Sequence, residues 1–346
     1  MTNPALLITI TRVVIAFQGV CMKSMLKRSL LKRSLLGLTV LALTLTQAPS
    51  YAAHKKHHRA SSKSQHVISA RKHYRVKNID TAQNSFRELY QNNGEPVLAS
   101  TKAIVLDQHT GEVIYGKNVD AQTPIASVTK LMTAMVVLDA QLPLDEILTV
   151  TDDDVDRLKG SSSKLPVGTE LTRGEMMHLA LMASENRAAA ALGRNYPGGM
   201  SAFVSAMNAK AKQLGMMNSH FVDPTGLNSG NVSTASDLAR MVNAAYQYSQ
   251  IRQVSTTASQ EFPVSRARHP VNFSNTNMLV RNSSERWDIG LSKTGYISEA
   301  GRCLVMQAKI SGKDVVLVFL NSVGKLSRIG DAERIRKWLE KNQPSS

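Results

Sequence analysis

Three short strings in this sequence could do chemistry together: Ser127-Val-Thr-Lys130, Ser184-Glu-Asn186 and Lys293-Thr-Gly295, in that order along the chain. A serine hydroxyl is a poor nucleophile near neutral pH and needs a positioned base to take its proton. A lysine three residues along a helix lies on the serine's own face, about 5–6 Å away between Cβ atoms. As a set, the strings are the elements of a serine acyl-transfer site that uses lysine where other serine enzymes use histidine. They imply a serine that is acylated by a peptide or a β-lactam.

None of the strings discriminates by itself. Ser-x-x-Lys also occurs at Ser24, Ser29, Ser69, Ser161 and Ser322, and Ser-x-Asn recurs at Ser229-Gly-Asn231. Only Ser127 has a turn signal before it, Thr123-Pro124, and a long apolar run after it, Leu131 to Leu138. That context puts Ser127 at a helix N-terminus, where the macrodipole favours negative charge. Alone it would read as an ordinary N-cap.

The expected roles follow from residue type. Ser127 attacks a carbonyl and Lys130, neutral, takes its proton. An unperturbed lysine titrates near ~10.4, so burial and a nearby cation, for which Lys293 is the candidate, must lower it. Ser184 passes a proton to the leaving amine and Asn186 positions the substrate amide, whereas Glu185 points away as a solvated or structural side chain. Lys293 and Thr294 offer a point charge and a hydroxyl to a carboxylate, and Gly295 lets a substrate backbone approach its strand. The backbone N–H groups of Ser127 and Tyr296 are candidate oxyanion donors, worth about 3–4 kcal/mol each. No metal or other cofactor is expected: the one His-x-x-x-His pair, His54 and His58, lies in a polar tail, and there is no paired cysteine.

The elements that must hold these groups can be read from patterning. Ala103–Leu106 and Glu112–Tyr115 around Asp107–Gly111 predict a hairpin. Thr172 and Glu175 form a capping box opening a helix over Met176–Ala183. Ser201–Leu214 predicts another helix, and Thr234 caps a third carrying Leu238, Met241, Val242 and Ala245. Phe221–Leu227 is a turn-rich loop. Strands follow at Trp287–Gly295, Cys303–Ile310 and Val315–Asn321, the last two joined by a turn at Ser311–Asp314. Asp331 is expected to cap a closing helix with Ile335, Trp338 and Leu339 inward. The layout predicts an α/β fold: an antiparallel sheet flanked by helices, with a helical lobe inserted at about 140–255 and the motifs in the cleft between lobe and sheet edge. Cys303 reads as a small buried hydrophobe on a strand.

The net charge of +16 is not spread evenly. Residues 1–77 hold 14 of the 42 Lys and Arg and no Asp or Glu, leaving 28 basic against 26 acidic groups, +2, in the rest. Lys23, Lys27, Arg28, Lys32 and Arg33, then apolar Leu35–Thr46, then Ser50-Tyr-Ala52, predict an export signal over 1–52 cleaved after Ala52. The true start is Met22 or Met25, or else an earlier apolar stretch, Leu6–Phe17, is kept as an anchor. Residues 53–95 read as a basic, His-rich disordered tether, with 54–77 too polar to offset its ordering entropy. Such a tail suits peripheral contact with an anionic wall or membrane surface, while export argues against nucleic acid. Residues 96–346 form the expected catalytic domain.

Pro124–Met135, Ser184–Ala190, Phe221–Leu227, and Lys293–Gly295 with Ala300–Cys303 resemble the low-molecular-mass penicillin-binding proteins, in particular the D-alanyl-D-alanine endopeptidases of the penicillin-binding protein 7 type. The resemblance runs over about 96–340 and implies the β-lactamase/transpeptidase-like fold. It implies a periplasmic serine enzyme that cuts D-alanyl–meso-diaminopimelate cross-links of peptidoglycan and is inhibited by β-lactams. By it, Ser127 is the acyl-ester nucleophile, Lys130 the proton acceptor, Ser184 a further active-site residue and Lys293 the carboxylate binder. The related carboxypeptidases carry a further β-rich domain and an anchor helix, and this chain stops after the Trp338 helix, so cross-link cleavage is expected over trimming of terminal D-alanine. The alternatives are a D-alanyl-D-alanine carboxypeptidase and a non-catalytic wall-binding or β-lactam-sensing module. A β-lactamase is disfavoured, because no Glu-x-x-Leu-Asn element is present to activate a deacylating water. The basic tail is not part of the family pattern.

Overall fold

The computed structural model describes residues 94–282 and 286–342. The expected export signal, and the tether up to residue 93, lie outside them. The chain first forms β1 (Ser100–Asp107), β2 (Val113–Lys117), the short β3 (Thr123–Pro124) and α1 (Lys130–Asp139). Then come β4 (Ile147–Thr149), β5 (Glu170–Thr172), α2 (Arg173–Met182), α3 (Asn186–Arg194), α4 (Gly199–Gln213), β6 (Val232–Ser233), α5 (Ala235–Tyr246) and α6 (Ser249–Ser255). It ends with β7 (Ser259–Phe262), β8 (Val271–Ser274), α7 (Met278–Arg281), β9 (Asp288–Ile297), β10 (Gly301–Ile310), β11 (Lys313–Ser322) and α8 (Ser327–Lys341).

Five strands make one antiparallel sheet in the order β2-β1-β11-β10-β9. β11 is apolar at every position from Val315 to Leu320 because both sheet faces are covered, so neither set of alternating side chains meets water. Val316, Val318 and Leu320 join Ile104 and Val305 in the larger core, which α1 and α5 share. Val315, Leu317 and Phe319 face the other way, with Leu304 and Met306, against Ala332 and Ile335 of α8. The turn between β10 and β11 is two residues long, with Ser311 at φ 50° and Gly312 at φ 82°. Left-handed backbone at both centres gives the twist a tight hairpin needs.

The helix starts follow the caps. Thr172 Oγ1 accepts from Glu175 N at 3.1 Å while the Glu175 carboxylate accepts from Thr172 N at 2.8 Å, and Thr234 Oγ1 accepts from Asp237 N at 3.1 Å. Asp331 departs from expectation. It does not cap α8 but lies inside it, fully buried, accepting from Ala99 N, Ser100 N and Ser100 Oγ at 2.9, 2.8 and 2.5 Å. The sequence shows an acid before an amphipathic run; the tertiary contact turns it into a tie between α8 and the start of β1. The pairs β4–β5 and β7–β8, and helix α6, are further elements that patterning did not indicate.

Candidate active site

Ser127 does not begin an α-helix. It sits in a 3-10 turn, Ala126–Thr129, and α1 starts at Lys130. This difference improves the chemistry, because a 3-10 turn has three residues per turn and eclipses side chains at i and i+3. The Lys130 Nζ lies 2.8 Å from Ser127 Oγ. Every residue from Lys130 to Val137 is buried, and Lys130 itself is fully so, which strips its amine of most of its hydration.

The same amine donates to Asn186 Oδ1 at 2.8 Å and to the Thr225 carbonyl at 2.7 Å. A neutral amine carries two hydrogens and one electron pair. Those two carbonyl-type oxygens accept only, so they take both hydrogens and leave the pair facing the Ser127 hydroxyl. Burial lowers Lys130 from the ordinary lysine value to about 7, partly offset by the carboxylates of Asp223 and Glu185. The depressing cation expected in Lys293 is not among its main causes; the repulsion is felt instead by Lys293, which burial, then Lys130, then Arg328 push well below the ordinary value.

Ser184, in the turn between α2 and α3, has a left-handed φ of 60°. A non-glycine residue held there stores strain, and the conformation places its Oγ 2.9 Å from Lys293 Nζ, from which it accepts. Asn186 opens α3 and also donates to Ser161 Oγ at 2.8 Å. Glu185 is not solvated: it is buried and accepts from Ser163 Oγ at 2.6 Å and Lys164 N at 3.2 Å, anchoring the loop that carries Ser161.

Lys293, Thr294 and Gly295 lie on β9, the sheet edge, and all three are buried. Thr294 Oγ1 donates to Thr276 Oγ1 at 2.7 Å. Gly295 has a reason beyond the expected approach of substrate. A Cβ there would stand 2.9 Å from Ile125 O and 3.1 Å from both Ala126 Cβ and Ser127 N, so glycine lets the turn that carries Ser127 press against the strand. That contact brings Ser127 N beside the residue preceding Tyr296. The Tyr296 side chain is exposed, with the Arg302 guanidinium over its ring at 4.5 Å.

The structure therefore joins Ser127, Lys130 and Asn186 in one cluster and Ser184 with Lys293 in another, close enough for the two ammonium groups to repel. It adds groups that motif reading missed: the Thr225 carbonyl, Asp223, Ser161, Thr276 and Arg328. The Asp223-Pro-Thr-Gly226 run was visible as a turn, but a backbone acceptor leaves no trace in residue type. Arg328 is half-buried on α8, with Nε unpartnered, in a position that depresses Lys293. Cys303 is buried and its thiol is pushed up to about 11 by burial, which makes it inert. Among the described residues no three His, Cys, Asp or Glu side chains come together as a metal site would require.

The family model described as D-alanyl-D-alanine carboxypeptidase, peptidase family S11, matches residues 90–324. A D-alanyl-D-alanine endopeptidase of Pseudomonas aeruginosa is 50% identical over 246 residues, covering 71% of this chain and 79% of the relative. One of Escherichia coli is 49% identical with the same coverage. The crystal structure of the Streptomyces K15 DD-transpeptidase superposes with a TM-score of 0.65 at 30% identity, covering 70% of this chain and 97% of that one. The antiparallel sheet flanked by helices is thus the transpeptidase-like fold.

Proposed function

The chain belongs to the S11 family of serine D-alanyl-D-alanine peptidases, and from that premise we propose that it is a murein DD-endopeptidase, hydrolysing D-alanyl–meso-diaminopimelate cross-links through an acyl-serine and acylated covalently by β-lactams. The observation that carries the chemistry is the buried Lys130 amine, 2.8 Å from Ser127 Oγ, with its other two partners both acceptors. Ser127 Oγ attacks the D-alanyl carbonyl as Lys130 takes its proton. The N–H groups of Ser127 and Tyr296 receive the developing oxyanion. The proton that Lys130 took from Ser127 goes on to the leaving nitrogen as the C–N bond breaks: Ser184, whose oxygen accepts from Lys293 and whose own hydrogen is therefore free, hands that hydrogen to the nitrogen and takes the one from Lys130 in its place. Lys293, assisted by Thr294 with Thr276 and by the charge of Arg328, holds the carboxylate beside the scissile bond. Asn186 serves the substrate amide, and water then releases the acyl group.

The substrate choice rests on the two endopeptidases at 50% and 49% identity. A carboxypeptidase is the second reading, since the matched family model carries that description. The cell wall is the place of action, reached by export into the periplasm through the signal at 1–52, with the basic tail touching anionic wall or membrane surface. Digestion of purified cross-linked muropeptide dimers tests the reading. Monomers are expected, loss of terminal D-alanine alone would make it a carboxypeptidase, and no product would leave a wall-binding or β-lactam-sensing module.

A further inference from the structure

Resting on that reading, we propose that Asp223 is a positioning residue for the base: its carboxylate folds the 223–228 loop so that the Thr225 carbonyl occupies a Lys130 hydrogen and the amine's electron pair is left facing Ser127 Oγ. Asp223 does not touch Ser127, Lys130 or the carboxylate pocket. One of its oxygens accepts from Thr225 N at 2.6 Å, Thr225 Oγ1 at 2.6 Å and Gly226 N at 2.7 Å. The other accepts from Asn228 N at 3.0 Å. Three of these four bonds flank the one carbonyl that meets Lys130, at 2.7 Å.

The loop is braced from outside as well. Asn231, fully buried, accepts from Val222 N and Asp223 N at 2.7 and 3.2 Å. It donates to the Asp223 carbonyl at 2.9 Å and to Thr129 Oγ1, in the nucleophile turn, at 3.1 Å. Thr133 Oγ1 on α1 donates to the Pro224 carbonyl at 2.7 Å. Gly226 at φ 80° packs so closely that a Cβ would lie 1.9 Å from Ala126 O. Loop, turn and helix are one unit, and Asp223 is the one charged residue of the loop.

The carboxylate also acts through space. The charged groups facing Lys130 are Asp223 from the loop, Glu185 from the turn before α3 and Lys293 from β9. Neutralising Asp223 removes a charge that favours the ammonium, so the amine becomes proton-free at lower pH. Asp223→Asn can keep the three bonds around Thr225 while losing the charge; Asp223→Ala loses both.

The test is the pH dependence of acylation by a fluorescent penicillin, measured as a rate constant on the fraction of enzyme that titrates as active. Asp223→Ala is expected to lower the plateau constant by roughly tenfold or more, a misplaced base being sufficient cause, while the constant for non-covalent binding before acylation stays near that of the wild type. Asp223→Asn is expected to move the acid limb to lower pH. A merely structural role would lower the active fraction and the melting temperature without moving either readout. The inference is overturned if the active fraction of Asp223→Ala acylates at the wild-type rate, or if Asp223→Asn, which keeps the bonds around Thr225, loses the plateau constant to the same extent; should Asp223→Ala not fold, Asp223→Ser takes its place in the comparison. Failure of the wild type to be acylated would instead remove the enzyme reading itself.

Discussion

The proposed chemistry turns on Lys130, whose state is set by where it is rather than by what it is. It sits at about 7 because the fold withholds water from it. Acylation by a labelled β-lactam should therefore fall as pH drops below about 7, where the amine takes up a proton and loses the pair that faces Ser127. It should fall again at higher pH, because Lys293, depressed by burial and by Lys130, must stay charged to hold a carboxylate. A stopped-flow pH profile checks both limbs, and a profile flat between pH 5 and 8 would exclude Lys130 as the base. Lys130→Ala should cost about 10²–10⁴-fold in acylation rate, the usual contribution of a general base. Lys130→Arg should not restore it, because a guanidinium stays protonated.

The 3-10 turn carrying Ser127 works only because two glycines let other elements close on it. Gly295 admits the turn against β9 and Gly226 admits the 223–228 loop against Ala126. Ala126 itself has a left-handed φ of 49°, a conformation that the surrounding contacts must hold in place. Gly295→Ala should push the turn from the strand and reduce acylation by about 10²-fold, with the melting temperature changing little by comparison. Gly226→Ala combines a backbone strained for any side chain with a contact that no relaxation of a side-chain tip can relieve. A loss of about 2–4 kcal/mol in denaturant unfolding is expected. Both substitutions look mild in the sequence, and both are steric statements about neighbours remote along the chain.

In the folded chain, β1 pairs with β11 in a register that sets Ser100 against Ser322, so the sheet closes only after the whole helical region has been made. Asp331 secures that closure by holding the start of β1 to α8. Asp331→Ala would leave the N–H groups of Ala99 and Ser100, the second of them buried, and the Arg334 guanidinium, its ion-pair partner, without their acceptor. A cost of about 3–5 kcal/mol is expected, seen as a lower melting temperature, while the fraction that remains folded should take up fluorescent penicillin at the wild-type rate. Coupled loss of acylation rate in that fraction would mean that the α8–β1 tie also shapes the site, for instance through Arg328.

Much of this protein was legible in its residues. The three motifs name the groups, the caps at Thr172 and Thr234 start their helices, and the apolar β-rich runs near the end predict the strands of an antiparallel sheet flanked by helices. These features are local, carried by residue type and short spacing. Other features were not legible: the 3-10 form of the Ser127 turn, the second role of Gly295, the buried place of Asp331, and the Thr225 carbonyl on Lys130. Each depends on which backbone or side chain arrives from elsewhere in the chain. The sequence by itself determined which atoms could react. Only the tertiary structure decided that one lysine would be dry enough to be a base and that its electron pair would face the serine, because desolvation and hydrogen-bond direction are properties of surroundings that no single segment contains.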